Sequence, residues 1–146
     1  MRGEEQRGVV VVRGAATGFV QEVLAGPHQF VSDEPTSVGG TDRGPTPYDL
    51  LLAGLGSCTS MTIAMYARRK QWTLERVTVR LRHSRVHAED CAACETRNVR
   101  LTLIERDIKL DGVLDDEQRA RLLAIANRCP VHLTLSSQMH IKTTLV

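Results

Sequence analysis

Residues 47–70 read PYDLLLAGLGSCTSMTIAMYARRK, the longest apolar run in the chain, with a single cysteine, Cys58, near its middle. Positions 50 to 67 carry no charged side chain. Leu51, Leu55, Cys58, Thr62 and Met65 recur at three- and four-residue steps, and Gly54, Gly56, Ser57 and Ser60 keep the rest slim. The pattern predicts a buried helix, covered on nearly every side. Pro47 suits the first turn, where its missing N–H costs nothing, and Asp49 favours the positive end of the helix dipole. Arg68, Arg69 and Lys70 complement the other end. A transmembrane span is the rival reading, because an uncharged run of this length followed by cations is close to what a bilayer needs. Two glycines and the hydroxyls of Ser57, Thr59, Ser60, Thr62 and Tyr66 dilute the run, and further structured sequence follows it. A buried helix, with no membrane partner, is therefore the expectation. A thiol inside such a helix packs inertly unless a second group meets it.

Around this helix the chain has the size of one domain, residues 1–146, with 42% hydrophobic content but only 3% aromatics. Its core must be aliphatic. Nineteen Lys and Arg against 17 Asp and Glu give a formal charge of +2, with no block of one sign, so nothing points to a nucleic-acid partner. The N-terminal MRGEEQRG lacks the apolar core of a signal peptide, which predicts a cytoplasmic protein. Four cysteines, Cys58, Cys91, Cys94 and Cys129, in a reducing compartment are more readily reactive, metal-bound or buried than structural disulfides.

Upstream, residues 9–13, 19–24 and 29–32 are short Val- and Phe-bearing runs separated by turn signals at 14–18 and Gly26-Pro27, the pattern of an antiparallel meander. The meander has no helix of its own and needs something to lie upon, the 47–70 helix of this subunit or of a partner. Residues 33–47 (DEPTSVGGTDRGPTP) form a loop into the helix start, where a loop builds a site or merely connects. Downstream, residues 72–86 alternate, with Val77, Val79 and Leu81 on one side and Thr78, Arg80 and Arg82 on the other. Residues 98–110 repeat the pattern with Val99, Leu101 and Leu103 facing one way, and the two runs read as a hairpin. Asp111-Gly112 predicts a turn, 115–127 an amphipathic helix led by Asp115, Asp116 and Glu117, and Pro130 the first residue of a short helix with Cys129 at its N-cap, where thiolate is favoured. Residues 138–146 predict a closing strand.

Two constellations carry chemistry. His87, Cys91 and Cys94 at the hairpin tip have the spacing of a zinc site, since two thiolates two residues apart can share one tetrahedral ion. The fourth ligand is missing, so a metal site, a local disulfide and an unremarkable tip all remain open. Cys58 and Cys129 form the second. A cysteine that attacks a peroxide must be a thiolate, which calls for a nearby cation, and it needs a second thiol to condense with the sulfenic acid before over-oxidation. Arg43, at the mouth of the central helix, is the nearest candidate cation, with Arg13 and Arg128 as substitutes. Pattern alone leaves the two thiols between this chemistry and inert packing. His132, one turn from Cys129, could tune that thiol or serve as a surface donor. Trp72 and Tyr66 are expected to pack around the end of the central helix.

The stretch GGTDRGPTPYDLLLAGLGSCTSMTIAMYARRK, followed by HAEDCAACE and NRCPVHLTL, resembles the OsmC/Ohr family of osmotically inducible and organic hydroperoxide resistance proteins, across most of the chain. The resemblance implies an OsmC-like α+β domain in which antiparallel sheets wrap a long central helix, built as an intertwined homodimer with each site made from both subunits. It also implies a cofactor-free thiol peroxidase acting on organic hydroperoxides. Cys58 takes the peroxidatic role, Cys129 the resolving role, and an external dithiol resets the pair.

The chain departs from the family at one place. A glutamate one residue after the helix-opening proline pairs there with an arginine to hold the thiolate, and this position is Tyr48. Asp49 points about 100° away on an ideal helix, and a phenol can hydrogen-bond to arginine without neutralising it. The sequence therefore looks more like a less-characterised OsmC-like branch, in which Arg43 is the expected cation. The competing expectation is a non-catalytic dimer that binds a small hydrophobic ligand or senses redox state or metal through Cys91 and Cys94. The peroxidase requires Cys58 and Cys129 within disulfide reach, roughly 5.5–6 Å between Cα atoms.

Overall fold

The computed structural model describes residues 8–87 and 100–146, which fall into two compact units, Met1–Leu51 and Leu52–Val146. The architecture is α+β, with antiparallel sheets and a long helix.

In the first unit β1 (Val10–Gly14), β2 (Gln21–Ala25) and β3 (His28–Ser32) pair antiparallel in the order β1-β2-β3, with Val12 opposite Val23 and Val23 opposite Phe30. The predicted meander is present. Val23 is its buried apolar residue, whereas Val10, Val11 and Val12 are all exposed. The loop that follows is tied to one carboxylate. Asp33, only 1% exposed, accepts the main-chain N–H groups of Glu34 (2.8 Å), Thr41 (3.2 Å) and Arg43 (3.1 Å) and the Thr41 hydroxyl. These bonds, led by that of the Thr41 hydroxyl, outweigh burial and hold its carboxyl below the ordinary range.

Helix α1 (Pro47–Arg69) starts at the predicted proline. Its first turn is closed reciprocally, Asp49 Oδ2 accepting from the Thr46 N–H at 2.9 Å and Thr46 Oγ1 from the Asp49 N–H at 3.1 Å, a capping-box arrangement. At the other end Gln71 takes the left-handed conformation, φ 58°, and the Trp72 N–H reaches back to the Ala67 carbonyl at 2.9 Å. These bonds satisfy donors and acceptors that a helix end leaves open.

The second unit builds a layer of helix on sheet. β4 (Thr73–His87) and β5 (Arg100–Val113) form the predicted hairpin, with Val79 opposite Ile108 and Leu81 opposite Arg106. α2 (Asp116–Ala126) opens with a full capping box between Asp115 and Gln118. α3 (Pro130–Leu135) follows with Cys129 as its N-cap. The core joins Ile63 and Ala67 of α1 to Leu122 and Ala126 of α2, with Trp72, Val77, Ile108 and Leu110 packed against it. Fully burying a side chain such as Ile63 or Leu122 is worth about 1.5–3 kcal/mol each. Tyr66 and Trp72 meet edge to face, centroids 5.7 Å apart, at the end of α1 as expected.

Four expectations need correction. The helix is not covered on nearly every side: its buried residues form one stripe, Leu55, Gly56, Thr59, Ile63 and Ala67, while Met61 and Met65 are exposed. Within the second unit the described residues set α2 and the β4–β5 sheet against α1, which buries one face. The apolar face of β5 is not that of Leu103, which is exposed; half-buried Ile104, Arg106, Ile108 and Leu110 point to the other side, because the alternation changes parity at Leu103-Ile104. Asp111-Gly112 does not turn the chain. β5 runs on to Val113, and the pairing with β4 continues past an irregularity between Leu74 and Arg76. Residues 138–146 form no strand, since a strand exists through its ladder and no described strand pairs with them.

Pro47–Arg69 is by length and mean hydropathy, 1.5, apolar enough to cross a membrane. The core helix of a globular fold meets the same test, and the stripe from Leu55 to Ala67 packs against protein.

Candidate functional site

Cys58 and Cys129 are brought together within the second unit. α1 presents Cys58 at the edge of its buried stripe, where it is half-buried, while Cys129 is fully buried. Both thiols are free, and Cys58 is among the groups that lower the pKa of Cys129. Their meeting follows from local chemistry. α2 ends at Ala126, and the N–H of Cys129 returns to the Ala126 carbonyl at 3.3 Å. Pro130 then starts α3 without needing a donor of its own. The residue between the two helices becomes an N-cap aimed at α1.

The groups that favour a charged Cys129 sulfur are the Cys58 thiol, the main-chain N–H groups of His132 and Val131, and the Thr59 hydroxyl. The His132 N–H lies 3.5 Å from Sγ. Burial pushes this thiol up, but these groups, led by Cys58, outweigh it and bring its pKa below the ordinary thiol value. The site therefore contains one thiol disposed to ionise and a second, more accessible one.

Thr59, beside Cys58 on α1, is itself 0% exposed. Its hydroxyl donates to the Leu55 carbonyl at 2.7 Å and accepts from Arg106 Nη1 at 2.9 Å. Arg106 also reaches the Ala126 carbonyl at 3.5 Å and Asn127 Oδ1 at 3.0 Å. One guanidinium thus ties β5 to α1 and to the segment leading into Cys129. Sequence reasoning missed Arg106, although a signal was there: in L-I-E-R-D-I-K-L, positions 104, 106, 108 and 110 share a face, and three of them are apolar. A cation in an otherwise apolar alternation needs an inward partner. Leu55, Thr102, Ile104, Arg106, His132, Leu135 and Ser136 line a cavity of about 390 Å³, within the range of small-ligand sites.

Arg43, the cation expected from the sequence, lies in the exposed loop of the first unit. Its main chain donates to Asp33, and its guanidinium makes no hydrogen bond or ion pair among the described residues. Tyr48 is 40% exposed in the first turn of α1. Cys91 and Cys94 lie outside the described residues, as does the side chain of His87; the metal and disulfide alternatives for that tip stay with the sequence.

The fold matches solved structures of other proteins. One is an OsmC-like protein from Mycoplasma pneumoniae, 19% identical with a TM-score of 0.64, over 87% of this chain and 84% of that one. A second is an organic hydroperoxide resistance protein OsmC from Legionella pneumophila, 21% identical with a TM-score of 0.63, over 88% of each chain. A third is the organic hydroperoxide resistance protein OhrB of Bacillus subtilis, 19% identical with a TM-score of 0.60, over 88% of this chain and 89% of that one. No curated protein sequence matches the chain. At these identities the likeness establishes fold. The family model for OsmC-like proteins matches residues 40–144, the helix, the hairpin and both cysteine contexts included, and the chain belongs to the OsmC-like protein family.

Proposed function

We propose that this chain is a thiol peroxidase that reduces organic hydroperoxides, with Cys58 as the attacking and Cys129 as the resolving cysteine, in one OsmC-like domain comprising both units. The observation that carries the reading is the pair of free thiols in the second unit, one half-buried on α1 and one buried at the N-cap of α3, where the His132 N–H donates to its sulfur. Inert packing needs no such donors around a buried sulfur.

The chemistry runs as follows. The Cys58 thiolate attacks the terminal peroxide oxygen. An S–O bond forms, the O–O bond breaks, and the departing alkoxide takes up a proton to leave as an alcohol. Cys58 is now a sulfenic acid. The Cys129 thiolate attacks its sulfur, forming the S–S bond and expelling hydroxide, which is protonated to water. An external dithiol then reduces the disulfide by exchange. No cofactor enters these steps. Arg43 remains the proposed cation for Cys58. Leu55, Ile104 and Leu135, which share the cavity lining with Thr102, Arg106, His132 and Ser136, offer an apolar contact to the tail of an organic hydroperoxide that hydrogen peroxide lacks. We assign the protein to the cytoplasm, where reductants keep thiols available, and to a homodimer.

Peroxide consumption with cumene hydroperoxide and a dithiol tests the reading. Cys58→Ser is expected to abolish turnover, and one equivalent of peroxide is expected to give a Cys58–Cys129 disulfide by peptide mapping. Unchanged consumption in Cys58→Ser would overturn the proposal.

A further inference from the structure

The geometry points to a second binding site, at the C-terminal end of α1, that takes a small flat carboxylate between the Arg121 guanidinium and the Trp72 ring. Its cavity shares no lining residue with the one that holds Arg106 and His132, and the assignment stands whether or not the thiols reduce peroxide.

The cavity measures about 630 Å³, well within the range of small-ligand sites. Tyr66 and Lys70 are four residues apart and share a side of the chain as α1 ends, Trp72 follows, and Arg121 faces them from α2. Ala120 and Ala124, one turn apart on α2, leave that wall low. The space is therefore open above an aromatic pair and between two cations.

Arg121 is fixed in place with donors to spare. Its Nε donates to the Tyr66 hydroxyl at 3.0 Å, and its Cζ lies 5.5 Å from the centroid of that ring. Among the described residues Nη1 and Nη2 make no hydrogen bond and the group forms no ion pair. A guanidinium held in this way presents a planar fork that matches the two oxygens of a carboxylate. Lys70 Nζ lies 5.8 Å from the same ring centroid and also has no ion pair among the described residues. Two cations over one ring repel each other, and a bound anion relieves that repulsion.

The cavity also has acidic groups. Asp115 is engaged in capping α2, its Oδ1 accepting from the Gln118 N–H at 2.7 Å, which leaves Glu117 facing two cations. The Tyr66 phenol registers the sign of the resulting field. The hydrogen bond from Arg121, with the charges of Arg121, Lys70 and Arg128, holds its pKa below the ordinary value against burial. The flatness of the ligand follows from the rings. Tyr66 and Trp72 meet at 69°, and no cation lies over Trp72 among the described residues. A third ring can stack on the indole while its carboxylate reaches Arg121.

Trp72 is the only tryptophan in the chain, so its fluorescence reports on this place. Benzoate is titrated against benzyl alcohol and benzylamine, which keep the ring and change the charge, and against sodium chloride. Benzoate is expected to give a saturable change with a midpoint of about 1 mM or below, and the other three none by about 20 mM. Arg121→Gln is expected to weaken benzoate by about 10-fold or more and Lys70→Gln by about 3-fold. Trp72 also lines a neighbouring cavity of about 290 Å³ with Arg76, and Arg76→Gln is expected to bind like wild type. Benzylamine binding as well as benzoate, or sodium chloride giving the same change, would overturn the site. So would full affinity in Arg121→Gln, or a loss confined to Arg76→Gln. Circular dichroism checks that each variant folds, and if Arg121→Gln does not, Lys70→Gln decides, full affinity there overturning the assignment.

Discussion

At the scale of single residues, the behaviour of Cys129 with pH follows from its surroundings. Its pKa is lowered in the folded chain by hydrogen bonds from Cys58, His132, Val131 and Thr59, against the opposing push of burial. Between the folded and unfolded values the unfolded chain binds more protons, so stability rises with pH through that window. The contribution is present above the unfolded thiol value and is lost as pH falls through the folded one. Thermal midpoints measured across neutral to alkaline pH are expected to climb more steeply in wild type than in Cys129→Ser. Parallel curves would show that the donors do not stabilise the thiolate. Both cysteines were legible in the sequence, because Pro130 announces the N-cap and the apolar run announces the helix. Arg106 was not, because an arginine on a strand is by default solvated, and only the parity change at Ile104 reveals that it faces inward.

At the scale of elements, two glycines sit at close approaches of different kinds. A Cβ at Gly56 would lie 2.7 Å from Leu81 Cδ1, the free end of a side chain, and α1 would gain helix propensity from alanine. Gly112, at φ 143°, lies against the Thr73 carbonyl, so a side chain there would meet main chain that the β4–β5 ladder holds in place. Overpacking costs about 1–3 kcal/mol and a gain of about 1 kcal/mol from propensity offsets part of it at Gly56. Gly112→Ala has no such offset and adds backbone strain of about 1–3 kcal/mol. Urea denaturation is therefore expected to place Gly112→Ala at least about 1 kcal/mol below Gly56→Ala. The reverse order would mean that the pairing beside Leu74 yields more easily than the helix contact. The same region explains a failed reading. Asp-Gly is a strong turn signal, but here the hairpin ladder takes precedence, and the glycine serves to let β4 pass close. The caps of α1 and α2, by contrast, were readable because capping depends on neighbours in sequence.

At the scale of the whole molecule, the chain leaves apolar surface that one copy does not bury. Met61 is 70% and Met65 53% exposed on α1, and Val10 and Val12 of β1 are 59% and 55% exposed. The sequence predicted a helix covered all round, and the face with Met61 and Met65 is the part of that expectation that the described residues do not meet. Residues 138–146 point the same way, since their alternation is that of a strand, while Ile141 is 84% exposed and the segment has no ladder. A homodimer joined through the open face of α1 accounts for these features together, because apolar surface and unpaired strand edges are what association removes. Met61→Glu is then expected to weaken association by about 100-fold or more, the effect of about 3 kcal/mol for an unpaired charge forced into an apolar contact. Sedimentation velocity across the micromolar range measures it. Wild type is expected to sediment at twice the 16.2 kDa of the chain, and Met61→Glu to shift toward the single mass while keeping its far-ultraviolet circular dichroism. A wild type that sediments as 16.2 kDa throughout would remove the dimer. A variant that sediments like a dimeric wild type would move the interface away from α1, toward β1 or the C-terminal segment, where Val10→Lys and Ile141→Lys repeat the measurement.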